Sequence, residues 1–168
     1  MKVSRLAIFG LLTFALWNSV SAQETKKHLL SGDELNKVVP AEYFFRGQKA
    51  PVQVRNSAGF QLANGKMFLA ALVDSAGYSS AVQQKYQGML ITEAKINIGG
   101  SELAPGQYGF GFTAEGKFVA TSVASDDVLS VPFQTDSELK RAVPLKMIED
   151  GDGYKLYAGK KFVVVKVE

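Results

Sequence analysis

The chain has 168 residues, with 19 lysines and arginines against 16 aspartates and glutamates, one histidine and no cysteine. The missing cysteine excludes thiol nucleophiles, thiolate metal sites, disulfides and thiol redox chemistry. With His28 as the single histidine, a nucleophilic triad has no ready base. Basic residues fall in scattered pairs (26–27, 140–141, 160–161) rather than a stripe, which argues against nucleic-acid binding.

Residues 1–22 have the three-part layout of a secretory signal peptide. Lys2 and Arg5 precede an apolar run over 6–17, and Ser19-Val20-Ser21-Ala22 places small, uncharged side chains before a cut expected between Ala22 and Gln23. The run is shorter than the roughly 18 residues of a spanning helix. The expectation is export to the periplasm or the extracellular space as a soluble protein that meets the membrane only through the transient signal. Its loss removes two basic residues and no acid, so the remaining charge is nearly balanced. Residues 23–30 read as a flexible leader carrying an exposed His28 and joining the fold near Leu29. Residues 31–168 read as one domain, long enough to close a core without staples.

Ser31 followed by Glu34 is a capping box, predicting a short helix from Gly32 to Val38. Pro40 ends it, and 42–45 reads as a short strand or turn. From Pro51 the chain alternates in short runs. Strands are predicted at 52–55, 60–62 and 67–73, the last two joined by Ala63-Asn64-Gly65-Lys66, whose Asn-Gly suits a turn with two positive φ angles. The 67–73 run is apolar on both faces and so belongs at a sheet centre. Residues 79–87 break the pattern with a serine cap and Gly88 as a stop, predicting a short inserted helix. Residues 89–92 and 95–98 read as one long strand kinked near Glu93. Gly99-Gly100 turns the chain. A hairpin follows, 107–113 and 117–123 around 114–116. Further strands are expected at 128–133, 143–148, 154–157 and 161–167, with a capped turn at 135–139, a loop at 149–153 and a turn at Gly159-Lys160.

About nine short strands at this cadence predict a mainly β fold. An antiparallel β-sandwich with a short N-terminal helix and one short inserted helix is favoured, a closed barrel being the second choice. The strands are too short and too charged on both faces for an outer-membrane barrel.

The candidate ligand site is the central hairpin. Tyr108, Phe110 and Phe112 share one face of its first strand, with Phe118 opposite, and Gly109 and Gly111 share the other. The rings can bury as core or line a cleft or barrel mouth for an apolar or sugar-like ligand. The glycine face suits close approach of another segment. Two acids facing one cleft could support sugar hydrolysis, and Glu93, Glu102 and Asp136 are the candidates, though spacing selects no pair. Asp150, Asp152 and Gly153 imitate the start of a calcium loop, but the later ligands are missing and an acid-glycine hairpin turn is the expectation. No cofactor, metal site or catalytic residue is assigned.

The segment from Ile98 to Tyr108, with its Leu103-x-x-Gly106-x-Tyr108 pattern, resembles a turn-and-strand of small uncharacterised secreted bacterial β-sandwich proteins. The resemblance implies a sandwich and no activity. The expected function is therefore a non-enzymatic binding or structural interaction outside the cytoplasm, with a ligand or a protein as partner. The alternative is a carboxylate-based hydrolase of sugars or cell-wall material.

Overall fold

The computed structural model describes residues 27–168. The signal-peptide expectation and the Ala22–Gln23 cut lie outside them. In chain order the elements are β1 His28–Leu29, α1 Gly32–Val38, β2 Glu42–Phe45, β3 Gln48–Gln61, β4 Met67–Val73, α2 Ser80–Lys85, β5 Gly88–Thr92, β6 Ile96–Ile98, β7 Ser101–Leu103, β8 Gly106–Phe112, β9 Lys117–Thr121, β10 Asp127–Pro132, β11 Gln134–Thr135, β12 Val143–Asp150, β13 Gly153–Gly159 and β14 Lys161–Val167. They form an eight-stranded antiparallel sheet, ordered β1-β3-β4-β5-β8-β9-β10 with β2 on the first half of β3, and a six-stranded one, ordered β12-β13-β14-β6-β7 with β11 beside β14. The fold is the expected β-sandwich with two short helices, and it does not close into a barrel. No helix among the described residues is long and apolar enough to cross a membrane.

Alternation along the strands builds two cores. Phe60, Phe68, Leu90, Phe110 and Phe118 of the larger sheet meet Ile96, Ile98, Leu156, Val163 and Val165 of the smaller one between the sheets. The opposite face of the larger sheet carries a second cluster, in which Leu69, Ala71 and Val73 of β4 pack with Leu35 of α1, Tyr43 and Phe45 of β2, and Tyr86. This is why β4 is apolar on both faces: the larger sheet is covered on both.

The expected kinked strand over 89–98 is corrected. Residues 88–92 pair in the larger sheet and 96–98 in the smaller, so the chain changes sheets at Glu93-Ala94-Lys95. The crossing is pinned locally. The Thr92 hydroxyl donates to the Ala94 carbonyl at 2.6 Å, and Glu93 accepts from the Met67 amide at 2.8 Å. The leader joins the fold near Leu29, as expected, but its His28 is half-buried and not exposed. His28 and Leu29 pair with Gln61 and Phe60, and His28 Nε2 lies 3.1 Å from the Glu34 carboxylate, because Leu29 and Leu30 each pack on a core. The strand expected at 52–55 is the middle of the much longer β3, which shifts register between Gln53 and Ser57.

The β3–β4 hairpin forms at the expected place with a different turn. Only Gly65 has positive φ, at 82°. The Leu62 amide donates to the Lys66 carbonyl at 2.8 Å, and the Asn64 carboxamide oxygen accepts from the Lys66 amide at 3.1 Å. This is a three-residue loop with glycine last, in which asparagine serves as an acceptor. The β9–β10 loop repeats the pattern, the Ser122 amide donating to the Asp126 carbonyl at 2.8 Å, but puts Ser125 where glycine belongs, at φ 81°. A side chain there is strained. Ser125→Gly is expected to stabilise the fold by about 0.5 kcal/mol, the relief of strain exceeding glycine's entropy cost. Urea unfolding checks the sign.

The capping box on α1 is present. The Ser31 hydroxyl accepts from the Glu34 amide at 3.4 Å, and the Glu34 carboxylate accepts from the Ser31 amide at 2.8 Å. The Ser31 backbone amide, then its hydroxyl and His28, hold the Glu34 carboxyl down from its ordinary 4.5 to about 2. A depressed carboxylate contributes its full stabilisation above its ordinary pKa and loses it as pH falls through the folded value. Anchoring of α1 is therefore expected to weaken between pH 4.5 and about 2. A carboxyl-carbon NMR titration of Glu34 should show the low midpoint, and Glu34→Gln should flatten this part of the acid-stability curve.

Candidate functional site

The central hairpin, now β8 and β9, resolves into a sealed face and a docking face. Phe110 and Phe118 are fully buried, Phe112 is 3% exposed, and the three rings pack on one another with centroids 5.1 to 6.4 Å apart. Tyr108 is half-buried, its hydroxyl donating to the Ala104 carbonyl at 2.9 Å. The expectation that these rings together line a cleft is corrected: their face points into the space between the sheets, and the smaller sheet fills it. Of the four, Phe112 alone also borders an opening, at the end of the sandwich.

The bare glycine face has a packing cause. A methyl group on Gly111 would stand 2.7 Å from the backbone of Gln84 and Lys85, at the end of α2. On Gly109 it would stand 2.9 Å from both Thr121 Oγ1 and the Tyr86 ring. The two glycines let the last turn of α2 and the ring of Tyr86 lie directly on β8. Tyr86 stacks on Phe45 at 4.0 Å, and burial pushes its hydroxyl pKa up. Gln87 completes the junction. Its side-chain oxygen accepts from the Phe112 amide at 3.0 Å and its side-chain nitrogen donates to the Phe112 carbonyl at 3.2 Å, extending the β5–β8 ladder by one rung.

Two openings stand out. The first, about 380 Å³, is a notch on the outer face of the smaller sheet between Gly99-Gly100 and Pro132–Gln134. Two of its polar side chains are already engaged: Lys166 pairs with Asp152 at 2.9 Å, and Asn97 accepts from the Gly100 amide at 2.9 Å. The second, about 360 Å³, is a mouth into one end of the sandwich. Leu72, Phe112 and Ala158 give it an apolar floor that continues into the inter-sheet core, and Gln53, Ser75 and Lys161 line it as well.

The three candidate acids are not brought together by any shared contact. Glu93 caps the Met67 amide, Glu102 pairs with Lys95 at 2.8 Å, and Asp136 accepts from the Tyr157 hydroxyl at 2.9 Å. The Tyr157 hydrogen bond holds the Asp136 carboxyl below its ordinary value, while burial, then Asp136, raises Tyr157 to about 12. Asp150 and Asp152 flank the first glycine of a two-residue hairpin turn, since Asp150 pairs with Gly153 in register. Their carboxylates go to different lysines, Lys155 at 3.0 Å and Lys166 at 2.9 Å. No group of three or more histidine, aspartate or glutamate side chains among the described residues could hold a metal ion.

Sequence reasoning missed Lys161. A lysine beside a hairpin turn reads as solvated, yet its strand continues with Val163 and Val165, both in the inter-sheet core, so Lys161 has inward parity. Comparison with protein-family models, with curated proteins and with solved structures finds no match to this chain.

Proposed function

We propose that this is an exported, non-enzymatic binding domain acting outside the cytoplasm, with its ligand at the mouth of the sandwich. The mouth itself carries the reading. It is an opening of about 360 Å³ edged by Leu72, Phe112 and Ala158, which continue into the inter-sheet core. Concave openings that set polar groups beside apolar side chains are where small molecules bind, and here Gln53, Ser75, Gln87 and Lys161 stand beside Leu72, Phe112 and Ala158. The acids that a hydrolase would need are engaged in caps and ion pairs, which favours binding over hydrolysis. Export is supported by the layout of residues 1–22. The corresponding test is mass spectrometry of the exported protein, which should begin at Gln23.

The binding test is a thermal-shift screen of apolar and sugar-like compounds, followed by NMR on any that respond. A ligand at a hundred times its dissociation constant stabilises the native state by about 2.7 kcal/mol, enough to see. The expected result is a shift localised to Leu72, Phe112 and Ala158. A ligand that maps elsewhere, or a panel without response, overturns the reading.

A further inference from the structure

We infer that the mouth takes a straight-chain carboxylate, its alkyl tail over Phe112 and Leu72 and its carboxylate on the Lys161 ammonium. The inference rests on the reading of the mouth as a binding site and specifies its ligand. Lys161 opens β14 in register with Ala158, and both line the mouth. Strand parity turns the Lys161 side chain inward, toward the space between the sheets. Its ammonium lies 4.9 Å from the centre of the Phe133 ring, which packs 5.6 Å from Phe112. The cation is thus held at the rim of an apolar floor by an aromatic face.

What sets Lys161 apart is its place, an inward-facing cation at an apolar rim with no carboxylate beside it. Lys155 and Lys166, on the same sheet, are paired with Asp150 at 3.0 Å and Asp152 at 2.9 Å. Lys161 makes no ion pair with any described residue, and no aspartate or glutamate lines the mouth. A half-buried cation beside an apolar floor is complementary to an anionic head on an apolar tail. A carboxylate gives the ammonium a charge-assisted hydrogen bond that an alcohol of the same length does not. The volume suits a tail on the order of six to ten carbons.

The test uses octanoate, octanol and octyltrimethylammonium, titrated into the purified protein and followed by amide NMR shifts and melting temperature. Octanoate is expected to bind at least about tenfold more tightly than octanol, and the cation most weakly. Each methylene between hexanoate and decanoate should tighten binding about fourfold, or about 0.8 kcal/mol. Lys161→Met keeps the length of the stem and should bring octanoate and octanol level, while Lys161→Arg should keep the preference. Melting curves of both variants show whether they fold. If octanol matches octanoate on the unaltered protein, or Lys161→Met keeps the preference, the carboxylate inference falls and the mouth remains a binding site. If none of the probes shifts Leu72, Phe112 or Ala158, both fall.

Discussion

Gly111→Ala is expected to cost about 3 kcal/mol, at the upper end for overpacking. That would lower the melting temperature of a domain this size by roughly 10 °C. The new methyl group would meet the Gln84 and Lys85 backbone at 2.7 Å, and backbone cannot swing aside as a side chain does. The only relief is to lift α2 from the sheet. Helix α2 fully buries no side chain of its own; besides this close approach it is held by Tyr86, which follows it, by Val82 on the second core and by the Lys85–Asp127 pair at 2.6 Å. Gly109→Ala is the useful comparison, because its methyl would meet side chains, Thr121 Oγ1 and Tyr86 at 2.9 Å and Phe45 at 3.1 Å. Combining it with Thr121→Ala should cost less than the two changes apart, whereas Gln84→Ala should not relieve Gly111→Ala. Denaturant melts of the four single and two double variants decide this. A Gly111→Ala protein as stable as the parent would mean that α2 does not pack where the structure puts it.

Phe60→Ala is expected to cost about 4 kcal/mol. The ring lies between Phe68 of its own sheet, at 5.2 Å and 3° between planes, and Tyr154 of the opposite sheet, at 4.1 Å and 8°. It is 1% exposed, and removing it opens a void that neither sheet can fill without moving. A double-mutant cycle with Tyr154→Ala separates stacking from burial. Coupling of about 1 kcal/mol is expected from an aromatic pair in contact. Coupling near zero would show that the two rings do not bridge the sheets.

Local chemistry was the legible part of this chain. Ser31 with Glu34 announces α1, and Gly99-Gly100 and Gly159-Lys160 mark hairpins that form. The expected helix stop at Gly88 is corrected: α2 ends at Lys85 with Tyr86 as its cap, and Gly88 opens β5. What stayed hidden depends on partners distant in sequence. The change of sheets at 93–95 has no glycine or proline to mark it, and alternation runs on through Ile96 and Ile98 as if the strand continued. The second core could not be read because β2, α1 and Tyr86 each show only a few apolar residues until they meet on one face. The rings of Phe110, Phe112 and Phe118 were rightly seen as one face, but only the arrival of the smaller sheet decides that the face is covered. Gly109 and Gly111 were readable as a face for close approach of another segment, but that the segment is the end of α2 with Tyr86 was not. Lys161 was readable from its parity with Val163 and Val165, and the adjacent turn masked it.

The pairing of β6 with β14 sets Ile96, at the middle of the described chain, beside Val167, close to its last residue. The smaller sheet therefore has high contact order, and folding on the millisecond-to-second scale of such topologies is expected. Until β14 arrives, the β6–β7 hairpin has nothing to extend, and the inner faces of Phe60 and Phe110 lie open to water and to other chains. Aggregation during refolding should then rise steeply with protein concentration and fall with any change that speeds the docking of β14.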